Sequence, residues 1–473
     1  MNSSSFFRFG MVTATALCLA IFSLAGCSDS DEVDVLNVGE EENANQGDNT
    51  DPNGNNDQSD SDVGTNANQG GDDVGGNMGG SDDTGANNTN GGDDIGANIG
   101  GGGDTGGDTA PDPDPTESEN TETLFDETVP LSNGYTEVIE VDVPEDVYSI
   151  AISVTEGPPA DHYLVTDWRG PNNFQLIPDG WEDQEAVCYQ NCNNRVIASP
   201  GAFGALAPNN PDSQVEAGTH QFRVGTSDMM SGGFLFEPST AQMGNDVRVT
   251  VHAEIVDGAV DRGTLDLNLF FTGANGWSAS SAPSDTTVQA VIDGVDALYD
   301  QVNIDIGEVA YHDVDESFQV IEDLMSGTGD LAQLFAKSSE AELEGPSVFF
   351  VSELRMGGFG FQGGGGVLGI SGGIPGPMIV DGSPRSGVAV ATDSSQAQGA
   401  PGIVHVTGHE LGHYLGLFHT SEQFAMPGTP AHDPLPDTAE DDPSLLMHAT
   451  GGGDTMSEWQ GRVMRKNPWV YFD

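Results

Sequence analysis

His409-Glu410-Leu411-Gly412-His413-Tyr414-Leu415-Gly416-Leu417-Phe418-His419 has the form HExxHxxGxxH. On a helix, residues four apart lie on the same face, one above the other. His409 and His413 can therefore grip one metal ion, and the spacing suits zinc. Glu410, beside the first His, is placed to take a proton from water activated at that ion. Gly416 can adopt the left-handed backbone that ends a helix and turns the chain back. His419 then arrives as third ligand, leaving the fourth position open, as catalytic zinc requires. His405 lies on the same stripe but is set aside. It is eight residues from His413, roughly 12 Å along a helix, too far for both to reach one ion through bonds of ~2 Å.

The stretch resembles the zinc helix of the metzincin metallopeptidases, and most of all the pappalysin-like branch with its HELGHxLGLxHT pattern. That resemblance implies a zinc-dependent endopeptidase acting on protein or peptide substrates. It also implies a methionine in a tight turn beneath the metal. Ser444-Leu445-Leu446-Met447-His448-Ala449-Thr450 fits, and Met447 is the expected Met-turn residue, packing under the ligands without binding the ion. Some metzincins carry a Tyr two residues after this Met; here the position is Ala449. His448 is a candidate substitute whose direction the sequence leaves open.

Outward from the motif, the acidic Pro-rich loop after His419 carries His432, Asp433, Asp437, Asp441 and Asp442. Asp437-Thr438 resembles a feature of the pappalysin-like branch. The loop is read three ways: as shaping the cleft, as holding Ca2+, or as a solvated acidic loop. Thr455-Met456-Ser457-Glu458 reads as a capping box opening a closing helix to about Arg465. The motif helix is expected to begin near Pro401 or Gly402. Upstream, Thr264–Phe271, a helix capped by Ser284 or Asp285, Val302–Ala310 and Ser347–Val351 give strand, helix, strand and strand. That is the order expected above a metzincin zinc helix. Ser386–Ala391 is the expected edge strand beside the metal, and Gly357–Gly376 reads as a Gly-rich surface loop without a phosphate-binding pattern.

Before this, Thr136–Val143, Val147–Val154, His220–Val224 and Asp246–His252 alternate apolar and polar residues between Gly, Pro and Asn turns. Such short strands imply a β-sandwich. The expected chain is thus an α+β metzincin-like catalytic domain (258–473: a mixed sheet, zinc helix, Met-turn and C-terminal helix). It follows an all-β sandwich accessory domain (123–257) and a disordered acidic tether (27–122).

The 473 residues carry 76 Asp and Glu against 12 Lys and Arg, a net charge of -64. This excludes nucleic-acid binding through a basic surface. No Lys or Arg occurs between Arg8 and Arg169. The tether is rich in Gly, Asn and Asp and too poor in apolar groups to offset the entropy of ordering. Residues 1–26 read as an export signal, with an apolar run from Phe9 to Ala25. Leu24-Ala25-Gly26-Cys27 resembles a bacterial lipobox, which implies cleavage before Cys27, lipid on its sulfur and anchorage in the membrane. Ser28 after it points by the same resemblance to the outer membrane. Cys188 and Cys192 then remain. In an exported protein they are read as a small disulfide loop, the alternative being metal binding or a thiol that blocks the zinc. Oligomeric state is not legible. The competing function is a non-catalytic surface or substrate-binding lipoprotein retaining a peptidase fold. A hydrolase of cell-wall peptides would differ only in substrate.

Overall fold

The structure, a computed structural model, describes residues 121–472 except 160, 180–186, 189–192, 212, 228–244, 257–259, 356–366, 394–398, 423–430 and 450–451. The signal segment, Cys27, nearly all of the tether and Cys192 lie outside the described residues, and the side chain of Cys188 is likewise not described. The disulfide and lipid expectations therefore fall outside them. The described chain is a mixed α+β structure, with sheets and a few helices.

Its N-terminal part forms two antiparallel sheets. In one, Thr121–Pro130, Asp246–Ile255, Val147–Thr155 and Phe203–Ala207 lie in that order. In the other, the order is Ile139–Val143, Gly218–Ser227, His162–Arg169 and Gln175–Ile177. Alternation explains the pairing: Ile139, Val141 and Val143 point inward while Glu140 and Asp142 stay exposed. Inward residues of both sheets, among them Ile150, Ile152, Val154, Val249, Val165 and Phe222, share one apolar cluster.

Val147–Thr155 departs from simple alternation, because every residue from Ser149 onward is buried. Its second face is covered by the chain that leads toward the motif helix. Ala151 clusters with Leu206, Met378 and Ile379. The Ser153 hydroxyl donates to Met378 O at 3.0 Å and accepts from Met378 N at 2.9 Å. Arg385, fully buried, likewise donates from Nε to Pro200 O at 2.9 Å.

The C-terminal part is built on a mixed sheet ordered Ile304–Asp313, Gly263–Phe271, Ser347–Val351, Val388–Ala391 and Gly369–Ser371. Its first three junctions are parallel, and Gly369–Ser371 joins antiparallel. The edge strand beside the motif helix is therefore Gly369–Ser371, not Ser386–Ala391. Val388–Ala391 is paired on both sides, and its wholly apolar, buried sequence suits an interior position. The expectation of a surface loop over Gly357–Gly376 fails for its second half: Val367 to Gly376 is buried. The small residues there, which suggest a loop in the sequence, allow close packing instead.

Asp285 caps the helix Thr286–Asp300 by accepting from Thr287 N and Val288 N. This helix lies against the motif helix Gly399–Tyr414. Tyr299 donates its hydroxyl to Gly408 O at 2.9 Å, and a Cβ on Gly408 would meet Leu298 at 2.9 Å. The closing helix is Glu458–Met464. Its N-cap is Ser457, and the box partner is Gln460, a correction to the register read from Thr455 and Glu458.

Candidate metal centre

The motif helix ends as Gly416 implies. Gly416 has φ +109°, Gly416 N donates to His413 O at 2.9 Å and Leu417 N to Gly412 O at 2.9 Å. These two bonds form a Schellman cap. The turn brings His419 back over the helix. Among the described residues, the group of three or more His, Cys, Asp or Glu side chains that could hold a metal is His409, His413 and His419. All three are 2% exposed or less.

Their geometry tests the fit of a metal. His419 Nε2 lies 3.3 Å from His409 Nε2 and 3.2 Å from His413 Nε2. A tetrahedral ion with bonds of ~2.05 Å sets its donors about 3.3 Å apart. The other ring nitrogens face carbonyls: His409 Nδ1 meets Leu446 O at 2.7 Å and His413 Nδ1 meets Leu417 O at 2.6 Å. A carbonyl only accepts, so each Nδ1 carries the proton and each Nε2 presents a lone pair. Burial, then the neighbouring imidazoles, push His409 and His413 well below the ordinary histidine range. Neutral rings with converging lone pairs repel one another and suit a cation between them. The residues fit a metal site.

Met447 is fully buried, and a Cβ on Gly412 would meet its Sδ at 2.7 Å. The thioether thus lies against the motif helix between the two helical ligands. Two carbonyls of the same turn support the site. Leu446 O receives His409, and Met447 O receives Thr420 N at 2.9 Å, directly after the third histidine.

Glu410 is 2% exposed. Burial pushes its carboxyl up to about 8, against a backbone hydrogen bond from Ser371 that lowers it. Its Oε1 has no hydrogen-bond partner in the protein. A buried acceptor left open beside the histidines is suited to meet a water or substrate proton. Gly369 and Ser371, which flank and hold Glu410, were missed in the sequence. The signal lay in Leu368-Gly369-Ile370-Ser371, whose alternation was hidden within a Gly-rich run.

His405 stays outside the triad, as expected, with Gly452 N donating to its Nε2 at 3.0 Å. The acids of the loop take separate partners. Asp433 accepts from Thr438 Oγ1 and Leu435 N, Asp437 from Trp459 N, and Asp442 from Ser444. His448, whose direction was open, has Nε2 3.3 Å from Asp441 Oδ1.

No family model and no curated protein matches the chain. Among solved structures, a metalloproteinase-II from Bacteroides fragilis is similar at a TM-score of 0.27 and 13% identity, over 46% of this chain and 62% of that one. A chaperone-substrate complex is similar at a TM-score of 0.25 and 11% identity, over 44% and 35% of the two chains. The chain therefore covers less than two thirds of either protein. Likeness this slight bears on neither fold nor chemistry, which rest on the residues described above.

Proposed function

We propose that this chain is a zinc-dependent metalloendopeptidase of metzincin type, close to the pappalysin-like branch, that hydrolyses peptide bonds of extracytoplasmic proteins. One observation carries the reading: three buried histidines in HExxHxxGxxH bring their Nε2 atoms to the spacing of a tetrahedral ion, beside a buried Glu410. We read residues 258–473 as the catalytic domain and the two N-terminal sheets as a β-sandwich accessory domain. Lipid on Cys27 and the tether would hold the protein at the cell envelope, with the outer membrane favoured.

Zinc, when bound, would polarise the peptide carbonyl and lower the pKa of water toward neutrality. His409, His413 and His419 would hold it, their rings oriented by the carbonyls of Leu446 and Leu417 for the first two. Glu410 takes a proton from the attacking water and passes it to the leaving amine as the C–N bond breaks. Its raised proton affinity in this buried position favours the first half of that transfer, the taking of the proton. Ser371 N–H keeps the carboxyl aimed. Met447 packs beneath the ligands.

The test is chelator-sensitive cleavage of an unfolded protein by the full chain, with Glu410→Gln as control. Glu410→Gln should lose about 10²–10⁴-fold in turnover while keeping its zinc. Equal cleavage by both would sink the role of Glu410. A folded wild type without zinc would favour a non-catalytic surface protein instead.

A further inference from the structure

Leu417 and Phe418 are consecutive, yet they bury into different apolar clusters. Leu417 joins the cluster around the motif helix. Phe418 joins that of the N-terminal sheets. His419 follows directly, so the third ligand sits at the seam of two cores. Over the Phe418 ring lies the guanidinium of Arg195, its Cζ 4.8 Å from the ring centroid. Arg195 belongs to the N-terminal part and is fully buried. It is tied down at several points. Its N donates to Asn209 Oδ1 at 2.7 Å, its O accepts from Asn209 Nδ2 at 2.6 Å and its Nε donates to Asn210 Oδ1 at 2.9 Å.

The chain on the far side of His419 is fixed as well. Thr420 is pinned between Met447 O and Asp433 N, each bond 2.9 Å. Burial pushes the Asp433 carboxyl up, and the charge of Arg195 is foremost among the influences that lower it. The contact of Arg195 with Phe418 thus lies directly before His419, while backbone hydrogen bonds fix Thr420 directly after it. A fully buried cation is costly to keep, and a cation stacked on a desolvated ring gives back part of that cost.

We propose that Arg195 is a positioning residue for the third metal ligand, so that the N-terminal part completes the metal centre of the C-terminal part. The inference rests on the metal-site reading. Its logic is that of outer partners of metal ligands, whose loss commonly weakens metal binding 10–100-fold. His409 and His413 are aimed within the C-terminal part by Leu446 O and Leu417 O. Phe418, directly before His419, is held by a residue of the N-terminal part.

The experiment measures zinc affinity of the full chain by competition with a chromophoric chelator, together with the visible spectrum of the cobalt-loaded protein. Arg195→Gln should bind zinc about 10–100-fold more weakly and change the cobalt spectrum. Arg195→Lys, which keeps the charge but not the planar stack, should recover part of the loss. Phe418→Leu, which keeps apolar volume but removes the ring, should weaken zinc about tenfold. Combined with Arg195→Gln, it should add little, because both act through one contact. Wild-type affinity and spectrum in folded Arg195→Gln overturn the proposal. If that variant fails to fold, wild-type affinity in Phe418→Leu overturns it. A wild type that takes up no zinc overturns the metal-site reading and this inference with it, whereas a zinc-binding wild type with equal variants overturns the inference alone.

Discussion

Replacing Gly369 with alanine should disable Glu410 without touching a metal ligand. A Cβ at Gly369 would stand 2.5 Å from Glu410 Cγ, 2.6 Å from Val406 Cγ1 and 2.8 Å from Glu410 Oε1. Ordinary carbon contacts are about 3.5–4.0 Å, so something must yield by roughly 1 Å. The backbone of Gly369 is outside the left-handed region and accepts alanine, so the conflict is purely one of space. Val406 is β-branched and stiff on its helix. The strand is held to Val388–Ala391 by pairing. The Glu410 side chain is left to move, and it would lose its alignment with Ser371. Misplacing a catalytic group by about 1 Å can cost about 10²-fold in rate. Overpacking should lower stability by about 1–3 kcal/mol. The assay is kcat on a peptide substrate, with zinc content and melting temperature measured on the same preparation. The expected result is one zinc per chain, a modest fall in melting temperature and a kcat reduced about a hundredfold. A folded, zinc-loaded Gly369→Ala with wild-type kcat would refute the placement of Glu410 against the edge strand.

Two further outcomes concern stability. Burial pushes the Glu254 carboxyl up from 4.5 to about 8, while Ser149 and Lys466 oppose the rise. The native state therefore holds a proton that the unfolded chain has released. The stability this gives is fully present below pH 4.5 and is lost as pH rises through 8. Burial pushes Lys466 down to about 8, so its own linkage acts above that pH. Between pH 5 and 8, Glu254→Gln should gain on the wild type by about a few kcal/mol, read from denaturant melts; a constant difference would count against it. Ser457→Ala removes the hydroxyl that accepts from Gln460 N at 3.2 Å and should cost about 1 kcal/mol, with no change in urea midpoint as the contrary result.

The parts of the site that could be read in the sequence are those that local spacing dictates. His409, Glu410 and His413 share a helix whose 3.6-residue period fixes their facing, and Gly416 is where that helix must turn. Met447 and the strand order rest on resemblance and on periodicity, and the structure puts the Met447 sulfur against Gly412. Gly369 and Ser371 were not legible for a different reason. Their contact with Glu410 joins strand to helix across some forty residues, and small residues give no apolar pattern when their function is to let a neighbour come close. The support for the ligands is equally silent, since Leu446 and Leu417 act through carbonyls that every residue possesses.

The same reasoning explains why alternation misjudged Val147–Thr155. Period-two patterning assigns one buried face, on the premise that the other meets water. Here Ser149 spends its hydroxyl on buried Glu254 and Ser153 spends its own on Met378. A serine on such a face reads as solvated in sequence, yet it is buried when its hydrogen bonds are met by another part of the chain. Met378 follows the edge strand by only seven residues, and Phe418 immediately precedes His419. The N-terminal sheets thus hold the C-terminal part near the strand that aims Glu410 and beside the turn that delivers the third histidine. Separating the two parts would remove both supports at once, so the site geometry belongs to the joined chain and not to the motif helix alone.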